Sequence, residues 1–408
     1  MRCGLLGRKL GHSYSPQIHG YLGDYSYVLF EKEPEEIEVF LKNGDFTGIN
    51  VTVPYKKEVI PFLDELSPTA RKIGAVNTIV RRADGTFFGH NTDYFGFASM
   101  VKRSGLAVSG KKALVLGSGG ASNTAVAVLR ELGARVIVIS RSGENNYDNL
   151  HLHADAAVIV NTTPVGMYPN VGVNPVDLSR FPRLEGVLDV VYNPARTQLL
   201  LDAEKLGLST ENGLWMLVAQ AKEAAEYFTG KPIDDSRIGD IHRKLSVQMQ
   251  NIVLVGMPGC GKSTIGGMLA EKLGRKFVDA DAEIVRLAGK SIPEIFAEDG
   301  EEVFREWETK ALSELGKQSA LIIATGGGCV TKERNYPLLH QNGTIFWLKR
   351  ALDVLPTDGR PLSQANKLTD MYAIRKPMYE AFTDHAIDNN GAAEETVARI
   401  LEKLEETP

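Results

Sequence analysis

Along the chain, short apolar runs alternate with stretches whose apolar positions recur every three to four residues, almost from end to end. Short runs rich in β-branched residues predict strands, and the three-to-four spacing predicts helices with one buried face. "RCGLLG", "YSYVLFE" and "GINVTVP" read as strands, and "EEIEVFLKN" reads as a helix carrying Ile37, Phe40 and Leu41 on one side. From Lys111, "KKALVLG", a glycine loop, "NTAVAVLRELG" and "ARVIVIS" predict a β-loop-α-β unit, continued by "DAAVIVNTTP" and "GVLDVVY". "GLWMLVAQAKEAAEYFTG" places Leu214, Leu217, Val218, Ala221 and Phe228 on one helical stripe that ends at Gly230. Beyond the polar "KLSVQMQ", a linker over 244–250, "NIVLVG" opens a second α/β series. It continues through "KFVDAD", "ALIIATGGG" and "GTIFWLK" to helices at "MYAIRKPMYEAF" and "AEETVARILEKLEE". This alternation predicts α/β architecture, with parallel sheets covered by helices.

Composition adds bounds rather than chemistry. A chain of 408 residues exceeds one compact core, so two or three domains are expected. A formal charge of −5 gives no support for nucleic acid or an anionic membrane surface as partner. The start, "MRCGLLGRKLGHS", is broken by charge and reads as neither signal peptide nor membrane span. Cys3, Cys260 and Cys329 are scattered, with no CxxC, which suits a reducing cytoplasm and argues against structural zinc.

Two glycine loops carry the chemistry. "GMPGCGKST" fits GxxxxGK[ST], with Gly256, Pro258, Gly259, Cys260 and Gly261 before Lys262, Ser263 and Thr264. A strand before it and a helix after it predict a loop whose backbone N–H groups cradle phosphates. Lys262 then reaches the β/γ-phosphates of ATP or GTP, and Ser263 reaches Mg²⁺. Asp279 and Asp281 stand two apart at a strand end and so on one face. Phe304, Arg305 and Glu308 lie on a helix, Gly326, Gly327 and Gly328 at another strand end, Arg360 in a lid-like "TDGRPLS" and Arg375 on a later helix. Singly, such acids and arginines are ordinary surface residues. Jointly they describe a pocket for a small anionic polyol beside a nucleotide.

This combination resembles shikimate kinase over 251–408, a P-loop domain of the nucleoside monophosphate kinase type. The resemblance implies that Arg305 and Arg375 grip the carboxylate of shikimate and that Gly326, Gly327 and Gly328 line it. It also implies that Asp281 orients the attacking hydroxyl, Asp279 supports Mg²⁺ through water, Glu308 holds an arginine and Arg360 closes over the transferring phosphoryl group.

The other loop, "GSGGAS", spans Gly117, Ser118, Gly119, Gly120 and Ala121, with Ser122 where a third glycine of GxGxxG falls. It joins a buried strand to a helix whose N-terminus can take a pyrophosphate. At the end of the next strand, where an acid binds the ribose of NAD, stand Ser140, Arg141 and Ser142, which suit the 2′-phosphate of NADP. Around this unit lie Ser13 and Ser15 of "GHSYSPQIH", Asn50, Thr52 and Lys56 of "GINVTVPYKK", Asn77 of "GAVNTI" and Asp93 of "GHNTDYFGF". Ser15 before Pro16 also reads as a helix cap, as does Asp93.

These residues resemble shikimate dehydrogenase over about 1–245. The family implies a substrate domain over 1–100 and 214–245 and a Rossmann-like NADP domain over 101–213. It implies that Ser13, Ser15, Thr52, Asn77, Asp93, Tyr192 and Gln220 hold the substrate and that Lys56 and Asp93 form the catalytic pair. Thr162, Gly213 and Met216 match its cofactor edge, and the interval from Arg141 to Asn161 is short for the family. The reading is a two-enzyme fusion that makes shikimate from 3-dehydroshikimate and phosphorylates it, using NADP(H), ATP and Mg²⁺ in the cytoplasm. Two alternatives stand beside it: an NAD-dependent quinate/shikimate dehydrogenase joined to another small-molecule kinase, and a metabolite sensor without catalysis. The sensor predicts loss of Lys56, Asp93, Lys262 or Asp281, and all four are present.

Overall fold

The computed structural model describes residues 1–11, 13–355 and 368–406. They form two compact units: Met1–Gly166 with Asn174–Tyr192 and Leu199–His242, and Met167–Val173 with Asn193–Gln198 and Arg243–Pro408. Met167–Val173 and Asn193–Gln198, expected with the dinucleotide half, thus group with the second unit.

The first unit holds two sheets. One contains β1 (Arg2–Gly7), β2 (Ser26–Glu31), β3 (Gly48–Val51), β4 (Glu65–Leu66), β5 (Thr78–Arg81) and β6 (Phe87–His90), in the order β2-β1-β3-β5-β6-β4. It is mixed rather than parallel, because β5 runs antiparallel to both β3 and β6. Only five residues, 82–86, join β5 to β6, too few for the crossover that parallel pairing requires. The second sheet, β7 (Lys112–Leu116), β8 (Arg135–Ile139), β9 (Val158–Asn161), β10 (Gly186–Asp189) and β11 (Ser209–Glu211), is parallel, ordered β11-β10-β9-β7-β8. Its central strands read as unbroken apolar runs because helices cover both faces.

The second unit is a parallel sheet of β12 (Asn251–Val255), β13 (Phe277–Asp279), β14 (Ile322–Ala324), β15 (Gly343–Lys349) and β16 (His385–Asp388), ordered β13-β14-β12-β15-β16. The stretch read as a linker is helical: Ser236–Met249 forms one helix that ends two residues before β12. Ile238, Ile241, Leu245 and Met249 recur at helical spacing and are buried, a stripe masked by the polar residues between them.

Candidate active sites

Strand direction assembles the first site. β1 and β3 are parallel neighbours, so the segments after them, carrying Ser13 and Ser15 and carrying Thr52 and Lys56, emerge at one edge. β5 runs the other way, so its start, next to Asn77, lies at that same edge, as does the end of β6, which leads to Asp93. There Lys56 Nζ meets Asp93 Oδ2 at 2.6 Å. Asp93 is the first residue of the helix Asp93–Arg103, and its carboxylate goes to Lys56 rather than to a cap. Ser15 likewise opens the helix Ser15–Leu22 without a side-chain cap bond.

A buried amide network fixes this edge. Asn77 Oδ1 accepts from the Thr92 backbone N–H at 2.7 Å, and Asn77 Nδ2 donates to Thr92 Oγ1 at 3.0 Å and to Gln220 Oε1 at 3.4 Å. Gln220 sits on the helix Gly213–Thr229, so the contact ties that helix to the catalytic edge. Thr92, which sequence reasoning missed, also donates to Gln220 Oε1 at 3.3 Å; its place beside Asp93 was the available signal. Behind them the Tyr27 hydroxyl donates to Asn50 Oδ1 at 2.8 Å, and Asn50 Nδ2 reaches Thr78 Oγ1 at 3.1 Å. Tyr192 packs edge-on against Tyr14 with ring centroids 6.3 Å apart, and burial pushes its phenol up.

In the parallel sheet the strand order reverses at β7, and a crevice outside the strand ends at such a point is where α/β proteins take ligands. A cavity of about 570 Å³ lies there, lined by Gly117, Ser118, Gly119, Ser140, Arg141, Tyr147, Thr162, Thr163, Pro164, Val165 and Pro175. Arg141 is exposed and has no ion-pair partner among the described residues, and the helix Gly120–Glu131 has no acid in its first turn, so the cavity fits an anion. Gly120, Ala121, Ser142, Gly213 and Met216 do not line it. Gly213 instead lets its helix approach the backbone, since a Cβ there would lie 2.0 Å from the Val190 carbonyl oxygen. Met216 packs on the core.

The second unit gathers its predicted residues more fully. A cavity of about 470 Å³ is lined by Pro258, Gly259, Gly261, Lys262, Ser263, Thr264, Asp279, Asp281, Arg305, Glu308, Gly326, Gly327, Gly328 and Arg375, with Thr325 and the apolar Ile292, Pro293, Phe296 and Phe304. Gly261 has φ +97°, a left-handed conformation that a side chain resists, and it starts the helix Lys262–Leu273. Lys262 Nζ donates to the Gly256 and Met257 carbonyls at 2.9 and 3.0 Å, spanning the loop. The Cys260 side chain, in contrast, is buried in the core, and Cys260 does not line the cavity.

Asp279 and Asp281 converge for a reason other than strand alternation. Asp279 caps the helix Ala280–Ala288, and its Oδ1 accepts from the Asp281 N–H at 3.0 Å, while Oδ2 accepts from Ser263 Oγ at 3.0 Å. Burial, and then the charge of Asp279, pushes the Asp281 carboxyl up, and its Oδ1 has no hydrogen-bond partner. Arg305 is 3% exposed and is gripped by Glu308 at 2.9 Å and Glu301 at 2.9 Å. Burial also raises the Glu308 carboxyl. Arg375 Nη1 and the Tyr379 hydroxyl both donate to the Gly327 carbonyl, at 3.3 and 2.5 Å. Ile292, Pro293 and Phe296 were missed, although "SIPEIF" announces their helix through the Ser291–Glu294 capping box. Arg360 lies outside the described residues.

Residues 258–405 match the shikimate kinase family, and residues 5–79 match the shikimate dehydrogenase substrate binding domain. The shikimate dehydrogenase (NADP(+)) of Clostridium perfringens is 37% identical over 264 residues, which take in 59% of this chain and 97% of that protein. A solved shikimate dehydrogenase 1 from Peptoclostridium difficile is similar with a TM-score of 0.56 and 39% identity, over 60% of this chain and 98% of that one. A chorismate mutase/shikimate 5-dehydrogenase fusion protein from Clostridium acetobutylicum is similar with a TM-score of 0.57 and 37% identity, over 60% and 96% of the two chains.

Proposed function

From the premise that the chain belongs to the shikimate dehydrogenase family and carries a shikimate kinase domain behind it, as a bifunctional enzyme of the shikimate pathway, we propose which residues carry each step. The first half reduces 3-dehydroshikimate to shikimate with NADPH, and the second transfers a phosphoryl group from Mg·ATP to the 3-hydroxyl. What carries this reading is one arrangement met twice. In the second unit a glycine loop suited to phosphate shares one cavity with cationic and carboxylate side chains suited to a hydroxylated acid, and in the first unit a like loop on the parallel sheet accompanies the Lys56–Asp93 pair on the mixed sheet.

In the first half a bound reduced nicotinamide supplies the hydride. Lys56 holds a proton at Nζ and delivers it to the C3 oxygen as negative charge develops there. Asp93, at 2.6 Å, keeps that ammonium oriented. Ser13, Ser15, Thr52, Asn77, Tyr192 and Gln220 hold the hydroxyls and carboxylate of the substrate. Arg141, with Ser140, takes the 2′-phosphate that distinguishes NADP from NAD, and Gly117 to Gly119 with Thr162 face the pyrophosphate.

In the second half bound Mg·ATP supplies the phosphoryl group. Ser263 and Asp279 present a hydroxyl and a carboxylate 3.0 Å apart, a hard-oxygen pair that suits Mg²⁺, which keeps waters and phosphate oxygens as its other ligands. Among the described residues no group of three or more His, Cys, Asp or Glu could hold a metal. Lys262 binds the phosphates, Asp281 orients the 3-hydroxyl and takes its proton, and Arg305 and Arg375 hold the carboxylate by forked hydrogen bonds. No described helix is long and apolar enough to cross a membrane; the cytoplasmic setting belongs to the proposal.

One assay tests the whole reading: 3-dehydroshikimate, Mg·ATP and either NADPH or NADH in one tube, with products identified by mass. Shikimate 3-phosphate formed only with a reduced nicotinamide and ATP together supports it and names the preferred cofactor. Oxidation that stops at shikimate would refute the role given to Asp281, Arg305 and Arg375.

A further inference from the structure

We infer that Tyr147 is the wall against which the adenosine end of the dinucleotide packs, beside the Arg141 guanidinium. The inference rests on reading the cavity after β7, β8 and β9 as the NADP site. Gly117, Ser118 and Gly119 lead into the helix N-terminus that suits a pyrophosphate, so the adenosine end belongs beyond β8, where Ser140 and Arg141 line the same cavity. The chain between β8 and β9 contains no α-helix. Its one regular element is the short 3-10 turn Tyr147–His153, and Tyr147 alone of that turn lines the cavity.

The ring is held ready rather than free. One side of it packs against a core that includes Leu116, Ile139 and Leu150. The turn in front of it is closed by Ser140 N–H to the Asn145 carbonyl at 3.1 Å and by Asn149 Nδ2 to the Glu144 carbonyl at 2.8 Å. Asn146 N–H donates to Asn149 Oδ1 at 2.8 Å, and Asn145 Oδ1 lies 2.8 Å from His153 Nε2. Arg141 and Tyr147 line the same cavity. A planar base meeting a preset aromatic ring loses little conformational freedom, so stacking on it favours the bound state.

The test uses Tyr147→Ala and Tyr147→Phe in the full chain. It measures KM for NADPH, KM for 3-dehydroshikimate, kcat, and inhibition by adenosine 2′,5′-bisphosphate, which carries only the adenosine end. Tyr147→Ala is expected to raise the NADPH KM and the bisphosphate inhibition constant about tenfold, the equivalent of one stacked base. The kcat at saturating NADPH and the KM for 3-dehydroshikimate should move by less than about twofold, and Tyr147→Phe, which keeps the ring, should rescue both affected constants. Three results overturn the inference: unchanged constants in Tyr147→Ala, an equal loss in Tyr147→Phe, or a loss spread evenly over kcat and both KM values. If the wild-type enzyme neither oxidises NADPH nor responds to the bisphosphate, the cofactor reading itself has failed, an outcome separate from the other three.

Discussion

Asp281 combines a function with a cost. Its pKa is raised above the ordinary carboxylate value by burial and by Asp279, so the folded enzyme keeps that proton at pH values where the unfolded chain, near ~3.9, has lost it. In that window the unfolded state binds fewer protons than the folded one, so stability falls as pH rises from the unfolded pKa to the folded one and then levels off. Asp281→Asn removes the penalty, and the kinase half should melt at a higher temperature while shikimate phosphorylation drops by about 10²-fold or more, the range for losing a general base. A kinase half whose melting point falls would refute the linkage argument. The same electrostatics predicts the acid limb of kinase kcat/KM. Asp279→Asn deletes a neighbouring negative charge, so that limb should move to lower pH even though the rate itself declines with the weakened Mg²⁺ site. Among these residues the sequence showed identities better than geometry. Asp279 and Asp281 were rightly paired as neighbours, but through strand alternation, whereas a helix begins between them. Thr92 went unnoticed because its importance lies in hydrogen bonds to Asn77 and Gln220, which no local pattern encodes.

At the scale of elements, glycines at strand ends carry predictions that side chains alone would not suggest. A Cβ on Gly328 would fall 2.4 Å from Arg305 Nη1 and 2.5 Å from Nη2. Gly328→Ala should therefore push the guanidinium off its seat, raising the shikimate KM of the kinase about tenfold or more and leaving the ATP KM nearly unchanged. Equal effects on both constants would mean the whole loop had moved instead. Gly213 is a harsher case, because its Cβ would meet the Val190 backbone at 2.0 Å. Gly213→Ala should lower the melting temperature of the dehydrogenase half, read by calorimetry, as expected when neither backbone can yield. Legibility followed burial. β7, β9, β12 and β14 announced themselves as apolar runs because both their faces are covered, and the amphipathic helix Gly213–Thr229 ends at Gly230, where the left-handed cap closes it. The mixed first sheet was harder to read, because β4 has two residues and the direction of β5 depends on the length of the turn after it. The helix Ser236–Met249 hid for the opposite reason, since its four buried apolar positions are outnumbered by polar neighbours.

For the whole molecule, the decisive fact is that each set of proposed site residues falls within a single compact unit. Lys56, Asp93, Asn77 and Gln220 belong to the first, and Lys262, Asp281, Arg305 and Arg375 to the second. Neither proposed set of described residues then draws a side chain from the other unit, and their defects should separate. Lys56→Ala should stop NADPH oxidation by about 10²–10⁴-fold, the usual contribution of a positioned acid or base, while supplied shikimate is phosphorylated at the wild-type rate. Lys262→Ala should do the reverse, letting shikimate accumulate from 3-dehydroshikimate without its 3-phosphate. The informative sample is an equimolar mixture of the two variants. Because each retains one intact unit and shikimate is small and soluble, the mixture should restore 3-dehydroshikimate to shikimate 3-phosphate through free diffusion, with a lag that shortens as both proteins are concentrated. A mixture that stays inactive while each variant keeps its single activity would show that the product of one unit must be handed on within the same chain.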